Sequence, residues 1–259
     1  MPKQKKSFGV ALCKNKGGTF RILMIKKRYT YQFFDFVYGK YRKNDDKYIT
    51  TLLNNMTYHE KILIHRLKFG DMWSLIWNFN PDRQITFEGD VKSSRKNLNA
   101  YFKRKTKFET NFLHNSGTKI RKLIDCSTNS ESTWEIPKGH KNACETDMDT
   151  GIREFREETD ISNDKYRMLW HANPVVESHK DQNILYKNIY YIAEANDLDT
   201  KKRTWKPKVS LQNKEQAVEV ESVKWVSLDE LKFLQLNPKT YARTLKLFKK
   251  IRKAYKKHS

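Results

Sequence analysis

The spacing of apolar positions changes character several times along the chain. Phe8 to Lys14 and Phe20 to Arg28 are dense apolar runs split by NKGGT. Paired glycines accept positive φ in a tight turn, so this spacing predicts a β-hairpin. The aromatic stretch YTYQFFDFVYGKY follows and reads as an extension of the second strand. From about residue 47 a helical period takes over. In MTYHEKILIHRLKFGDMW, Thr57 and Glu60 stand at capping-box spacing, Ile62, Leu63 and Leu67 give an apolar stripe, and Gly70 marks a C-terminal stop. DMWSLIWNF predicts a second helix ending before Pro81. Residues 91–125 predict a further, strongly basic helix, and CSTNSEST a loop.

Beyond the loop, Met148, Ile152 and Phe155 fall on one face of a helix spanning 147–159. NILYKNIYYIAEA and VEVESVKWVS predict strands, joined by the long loop NDLDTKKRTWKPKVSLQNKEQ. LDELKFLQL and residues 239–257 predict helices. In the last of these, Tyr241, Leu245, Phe248, Ile251 and Tyr255 form one stripe. No internal repeat is present. The order of elements implies an α+β fold. Residues 1–40 carry the first strands, 41–128 a helical basic insertion lobe, and 129–259 the remainder.

Charge sharpens this picture. Across 259 residues, 52 Lys and Arg face 30 Asp and Glu, a formal net charge of +22. Such a field favours polyanions: nucleic acid, an anionic membrane or phosphorylated small molecules. Residues 91–125 concentrate it in Lys92, Arg95, Lys96, Lys103, Arg104, Lys105, Lys107, Lys119, Arg121 and Lys122. Tyr101, Phe102 and Phe108 lie among these charges. They suit either a stacking surface for single strands or an ordinary core. Lys103, Arg104 and Lys105 are the densest candidates for RNA phosphates.

Cys13, Cys126 and Cys144 lack metal-site spacing and are expected to be free thiols in a reducing compartment. No run approaches the roughly 18 apolar residues of a membrane span. The start MPKQKKSFGVALC lacks a signal-peptide pattern, and a cytoplasmic protein is expected.

Against this basic background, WEIPKGHKNACETDMDTGIREFREETDIS gathers acid. On a helix, Glu154, Glu157 and Glu158 fall at i, i+3 and i+4 on one stripe. Three like charges repel, so helix stability alone gives no reason to collect them. Hard oxygen ligands for Mg²⁺ or Mn²⁺ do. Arg153 and Glu145 are placed to neutralise one another and brace the loop against the helix.

The segment resembles the Nudix box, G-x5-E-x7-R-E-U-x-E-E-x-G-U, through Gly139, Glu145, Arg153, Glu154, Phe155, Glu157, Glu158 and Ile161. The six matched charged and glycine positions coincide by chance on the order of 10⁻⁵ per chain. Asp160 stands where the family has glycine just past the helix end, and is expected to adopt the left-handed conformation there at modest cost.

The resemblance implies an α/β/α sandwich with a mixed sheet and a hydrolase of nucleoside diphosphate derivatives. It makes Glu154, Glu157 and Glu158 metal ligands, with Glu158 catalytic. Glu219, six residues before Trp225, is the expected added ligand or general base, and Glu221 its competitor. Lys138 is a phosphate candidate through its side chain and a metal-ligand candidate through its carbonyl. His140 beside Gly139 reads as incidental.

A narrower resemblance joins most of the chain to the mRNA-decapping Nudix enzymes of large cytoplasmic DNA viruses, of the asfarvirus and poxvirus type. It is carried by KKRYTYQFFDFVYGKY, LLNNMTYHEKILIHRLKFGDMWSLIW and WEIPKGH. It implies capped mRNA as substrate, m7GDP and 5′-monophosphate RNA as products, and the host cytoplasm as location. Tyr186, Phe34, Phe36 and Trp73 are available to sandwich a methylated guanine, and nothing selects among them. Hydrolysis of small pyrophosphates such as diphosphoinositol polyphosphates, and a non-catalytic RNA-binding role, are the alternatives.

Overall fold

The computed structural model describes residues 3–84, 94–131, 133–181, 184–196, 207–210 and 212–258. Lys92 and most of the 196–216 bridge lie outside them. The chain opens with strands β1 (Lys3–Lys16) and β2 (Thr19–Lys27). Helices α1 (Tyr31–Val37), α2 (Asp46–Asn54), α3 (Tyr58–Arg66), α4 (Phe69–Trp77), α5 (Pro81–Gln84), α6 (Ser94–Phe112) and α7 (Thr118–Asp125) follow. Short strands β3 (Trp134–Glu135) and β4 (Lys138–Gly139) lead into α8 (Asp147–Thr159). Next come β5 (Tyr166–Met168), β6 (Val175–Asp181), β7 (Ile184–Ala195), α9 (Lys214–Glu219), β8 (Val220–Ser227) and α10 (Pro238–Tyr255).

Two compact units result. One joins Met1–Arg28 to Thr133–Ser259; the other is Tyr29–Ser132. In the first, β1 and β2 form the expected hairpin, closed by Gly17 and Gly18 with φ of 57° and 73°. The sheet is mixed, with path β3-β2-β1-β7-β5; β4 also pairs β1, β6 pairs β7, and β8 pairs β2. The β1–β7 ladder is parallel and the other pairs are antiparallel.

Side chains alternate across this sheet. Val10, Leu12, Leu23 and Ile25 meet Phe155 of α8 on one face. Ala11, Cys13, Ile22 and Met24 meet Phe248, Ile251 and Tyr255 of α10 on the other. The result is an α/β/α sandwich.

The second unit packs Phe33, Phe36, Leu53, Met72, Trp73, Tyr101, Phe108 and Phe112 into its own core. Its capping box is formed as expected, and the buried Glu60 also takes the Thr30 amide at 2.5 Å. One carboxylate thus serves the starts of both α1 and α3.

Three expectations are corrected here. YTYQFFDFVYGKY is helical, not strand: Thr30 caps α1 and buries Phe33, Phe36 and Val37 at helical spacing. Gly70 lies inside α4 and stops nothing. A Cβ there would stand 2.6 Å from Asn80 Oδ1 and 2.7 Å from Asp82 Oδ2, so close packing explains it. In α3 the core-facing residue is Ile64, while Ile62, Leu63 and Leu67 are half-buried. Of the alternatives left open for the aromatics of the basic stretch, Tyr101 and Phe108 take the core, and Phe102 is the exposed ring of that trio.

Candidate active site

The loop entering α8 and the helix itself are braced by one guanidinium. Arg153 Nε lies 2.6 Å from Glu145 Oε1, and its Nη2 donates to His140 O at 3.0 Å. Arg153 Nη1 also pairs with Glu154 and Glu157, at 2.8 Å each. This bidentate and branched use of the fork holds the Glu145 carboxyl down to about 2. Thr146 starts α8 with a second capping box, closed by Asp149. The helix ends at Asp160, whose φ of 57° is the left-handed conformation expected; Asn213 Nδ2 donates to its carboxylate at 3.1 Å.

Glu154, Glu157 and Glu158 rise from α8 into different surroundings. Burial pushes the Glu154 and Glu157 carboxyls up, against the pull of Arg153. Glu158 is sealed in, and burial raises its pKa to about 7 despite Lys27. Lys27 Nζ sits 2.5 Å from Glu158 Oε1, while Glu158 Oε2 accepts the Lys138 amide at 2.8 Å. Gln216, wholly buried, holds the Glu158 carbonyl at 3.1 Å.

Glu219 reaches this group from the far end of the chain. It is the last residue of the short helix α9 rather than a strand residue, which corrects the expected strand start. Its Oε2 meets Lys27 Nζ at 2.8 Å, and its side chain is 50% exposed. The competitor Glu221 pairs instead with Lys26 at 2.9 Å. Lys26 pairs with Ser222 and Lys27 with Val220, a register slip that leaves Glu221 opposite neither. Glu219, and not Glu221, thus shares Lys27 with Glu158.

These carboxylates supply hard oxygen donors, and the site is shaped around one of them. A Cβ at Gly139 would lie 2.0 Å from Glu154 Cδ, so glycine is required for that carboxylate to seat. The donor chemistry fits a hard divalent cation. Among the described residues, no group of three or more His, Cys, Asp or Glu side chains is gathered around one point. Arg153 and Lys27 each hold two of the glutamates in this state.

Other candidates fall into place differently. The Lys138 ammonium is engaged by Glu135 at 2.8 Å and is largely buried. His140 Nδ1 lies 3.0 Å from Lys6 O. In the helical unit, Lys103 is exposed, Arg104 Nε donates to Tyr38 O at 3.0 Å, and Lys105 pairs with Asp82. Phe36 and Trp73 are buried in that unit's core, with Phe34 packed against it. Tyr186 is on β7, its ring stacked on His179 at 5.2 Å and 9°. All three cysteines are free, and Cys13 is buried. No helix of the described chain is long and apolar enough to cross a membrane.

Lys27 and Gln216 carry no local signal in the sequence. Lys27 is 131 residues from Glu158 and 192 from Glu219, so only the folded sheet brings the three together.

The NUDIX domain family matches residues 119–248, half of the chain. This chain belongs to the Nudix family. The match starts within α7, downstream of β1 and β2. The mRNA-decapping protein g5R of African swine fever virus is 28% identical over 236 residues, which cover 89% of this chain and 88% of that protein. A protein of Acanthamoeba polyphaga mimivirus is 27% identical over 223 residues, covering 80% of this chain and 58% of its own. Among solved structures, a C. elegans Ap4A hydrolase aligns over 96% of this chain and 97% of its own, at 12% identity and a TM-score of 0.42.

Proposed function

We propose that this Nudix protein is an mRNA-decapping pyrophosphohydrolase acting in the host cytoplasm. The observation that carries the reading is the similarity, over 89% of this chain, to a viral decapping protein, combined with an intact set of box glutamates. Glu154, Glu157, Glu158 and Glu219 would hold Mg²⁺ or Mn²⁺. When bound, such an ion supplies charge neutralisation for a pyrophosphate and acidifies water.

The chain's own groups do the rest. Glu219, half exposed, accepts the proton of the attacking water, and Glu158 is the second catalytic carboxylate. Attack at phosphorus breaks one bridging P–O bond of the cap triphosphate. The products are m7GDP and RNA with a 5′-monophosphate. Arg153 keeps Glu154 and Glu157 at their stations. A formal charge of +22 supports salt-sensitive phosphate contacts with the transcript body, with exposed Lys103 the leading contact.

Incubating the protein with cap-radiolabelled RNA and Mg²⁺ or Mn²⁺, beside Glu158→Gln, tests the reading. Labelled m7GDP from wild type alone is expected. Hydrolysis of small pyrophosphates without cap release would move the assignment to that alternative.

A further inference from the structure

Lys27 and Lys61 are the two buried lysines among the described residues. The Lys61 ammonium is fastened to Ser127 and Thr128 within the helical unit. Lys27 instead ends β2 among the proposed catalytic carboxylates, 2.5 Å from Glu158 and 2.8 Å from Glu219.

Its stem is fixed on both sides. The Lys27 amide donates to Thr133 O at 3.0 Å, and the next amide, Arg28 N, donates to Glu219 O at 2.8 Å. Arg28 Nη2 adds a bond to Val220 O at 3.0 Å. The backbones carrying the ammonium and Glu219 are therefore locked together. On the other side, Glu158 is held through Lys138 N and Gln216 Nε2. Only the Glu219 side chain, half exposed at the end of α9, would wander without a partner.

We propose that Lys27 is a positioning residue of the hydrolytic site: its ammonium clamps Glu219 to Glu158, so that a divalent cation meets an assembled pair of carboxylates. This rests on the reading that the box glutamates bind such a cation. A permanent positive charge between Glu158 and Glu219 also offsets their mutual repulsion before the cation arrives. With Lys27 neutralised, Glu219 turns to solvent and the α8 glutamates face the cation without it.

Mn²⁺ titration of the full chain, followed by the electron paramagnetic resonance of the free ion, tests the clamp in wild type, Lys27→Gln and Lys27→Arg. Lys27→Gln is expected to bind Mn²⁺ about tenfold more weakly, the loss seen when a group supporting a metal ligand is removed. Lys27→Arg keeps the charge and is expected to restore most of that loss. Turnover of capped RNA should fall in Lys27→Gln with KM unchanged. Unchanged or tighter Mn²⁺ binding by Lys27→Gln overturns the clamp, as does Lys27→Arg binding no better than Lys27→Gln. If wild type binds no Mn²⁺, the metal reading itself falls, and the clamp with it. Should Lys27→Gln fail to fold, the ¹⁵N ammonium resonance of Lys27 in wild type decides. A shift that follows Mg²⁺ saturation supports the clamp, and an unmoved resonance overturns it.

Discussion

Gly139 and the Glu154 carboxylate occupy adjoining space: a β-carbon on the one would stand 2.0 Å from Cδ of the other. The first glycine of the box is therefore a seat for the helix's first glutamate. Gly139→Ala is expected to push Glu154 out of place and lower cap hydrolysis at least tenfold. Only the flexible end of the Glu154 side chain has to give way, so stability should change little. Parallel turnover assays and urea melts would separate the two effects.

Arg153 joins Glu145, Glu154 and Glu157 through one planar fork. A lysine cannot reproduce that branching. Arg153→Lys should retain the fold, measured by circular dichroism, yet lose roughly tenfold in metal affinity, in the range for outer-shell partners. Full retention of affinity would remove Arg153 from the site's supports.

Asp160 adopts a left-handed conformation that glycine enters without a β-carbon penalty. Asp160→Gly should stabilise the protein by about 0.5 kcal/mol, part of the cost of that conformation. The exposed bond from Asn213 is lost in exchange. A fall in the urea midpoint would mean that the Asn213 bond outweighs the strain.

Glu194 on β7 ties α10 to the sheet through the Tyr255 hydroxyl and is also held by Arg167 at 2.8 Å. Burial pushes its carboxyl up, but the bonds from Tyr255 and Arg167 outweigh this and hold it below the ordinary value. A depressed folded pKa contributes stability that is present above the unfolded pKa, about 4.5, and is lost as pH falls through the folded value. Tyr255→Phe should therefore lower stability by about 1–2 kcal/mol near neutrality, a typical loss for a bond to a charged acceptor. It should also flatten the acid limb of the melting-temperature profile. An unchanged profile would show that Arg167 alone sets the carboxyl.

What was legible in the sequence was local. The box helix announced itself through Met148, Ile152 and Phe155 on one face and three glutamates on another, all within a few turns. The Thr57 capping box and the left-handed Asp160 depended on neighbours only. Glu219 was singled out by its distance from Trp225, and the turn of helix carrying it had no signal of its own.

The misreadings came from signals with two meanings. Residues 31–37 are rich in aromatics that suit a strand, and Thr30 as a cap decided otherwise. Tyr101, Phe108 and Phe112 recur at helical spacing, and the choice left open between core and stacking surface falls to the core. Lys27 could not be read at all. One lysine among the 52 Lys and Arg acquires its place only when β2 meets β8 and α8.

The parallel β1–β7 ladder pairs Lys3 with Ile184, so the first strand synthesised waits for a partner far along the chain. The helical unit, contiguous from Tyr29 to Ser132, is complete long before then. During synthesis it has all it needs to close its core, while β1 and β2 stand as a lone hairpin with open edges. The carboxylates proposed to hold the cation therefore meet only once the last strand, β8, is laid beside β2.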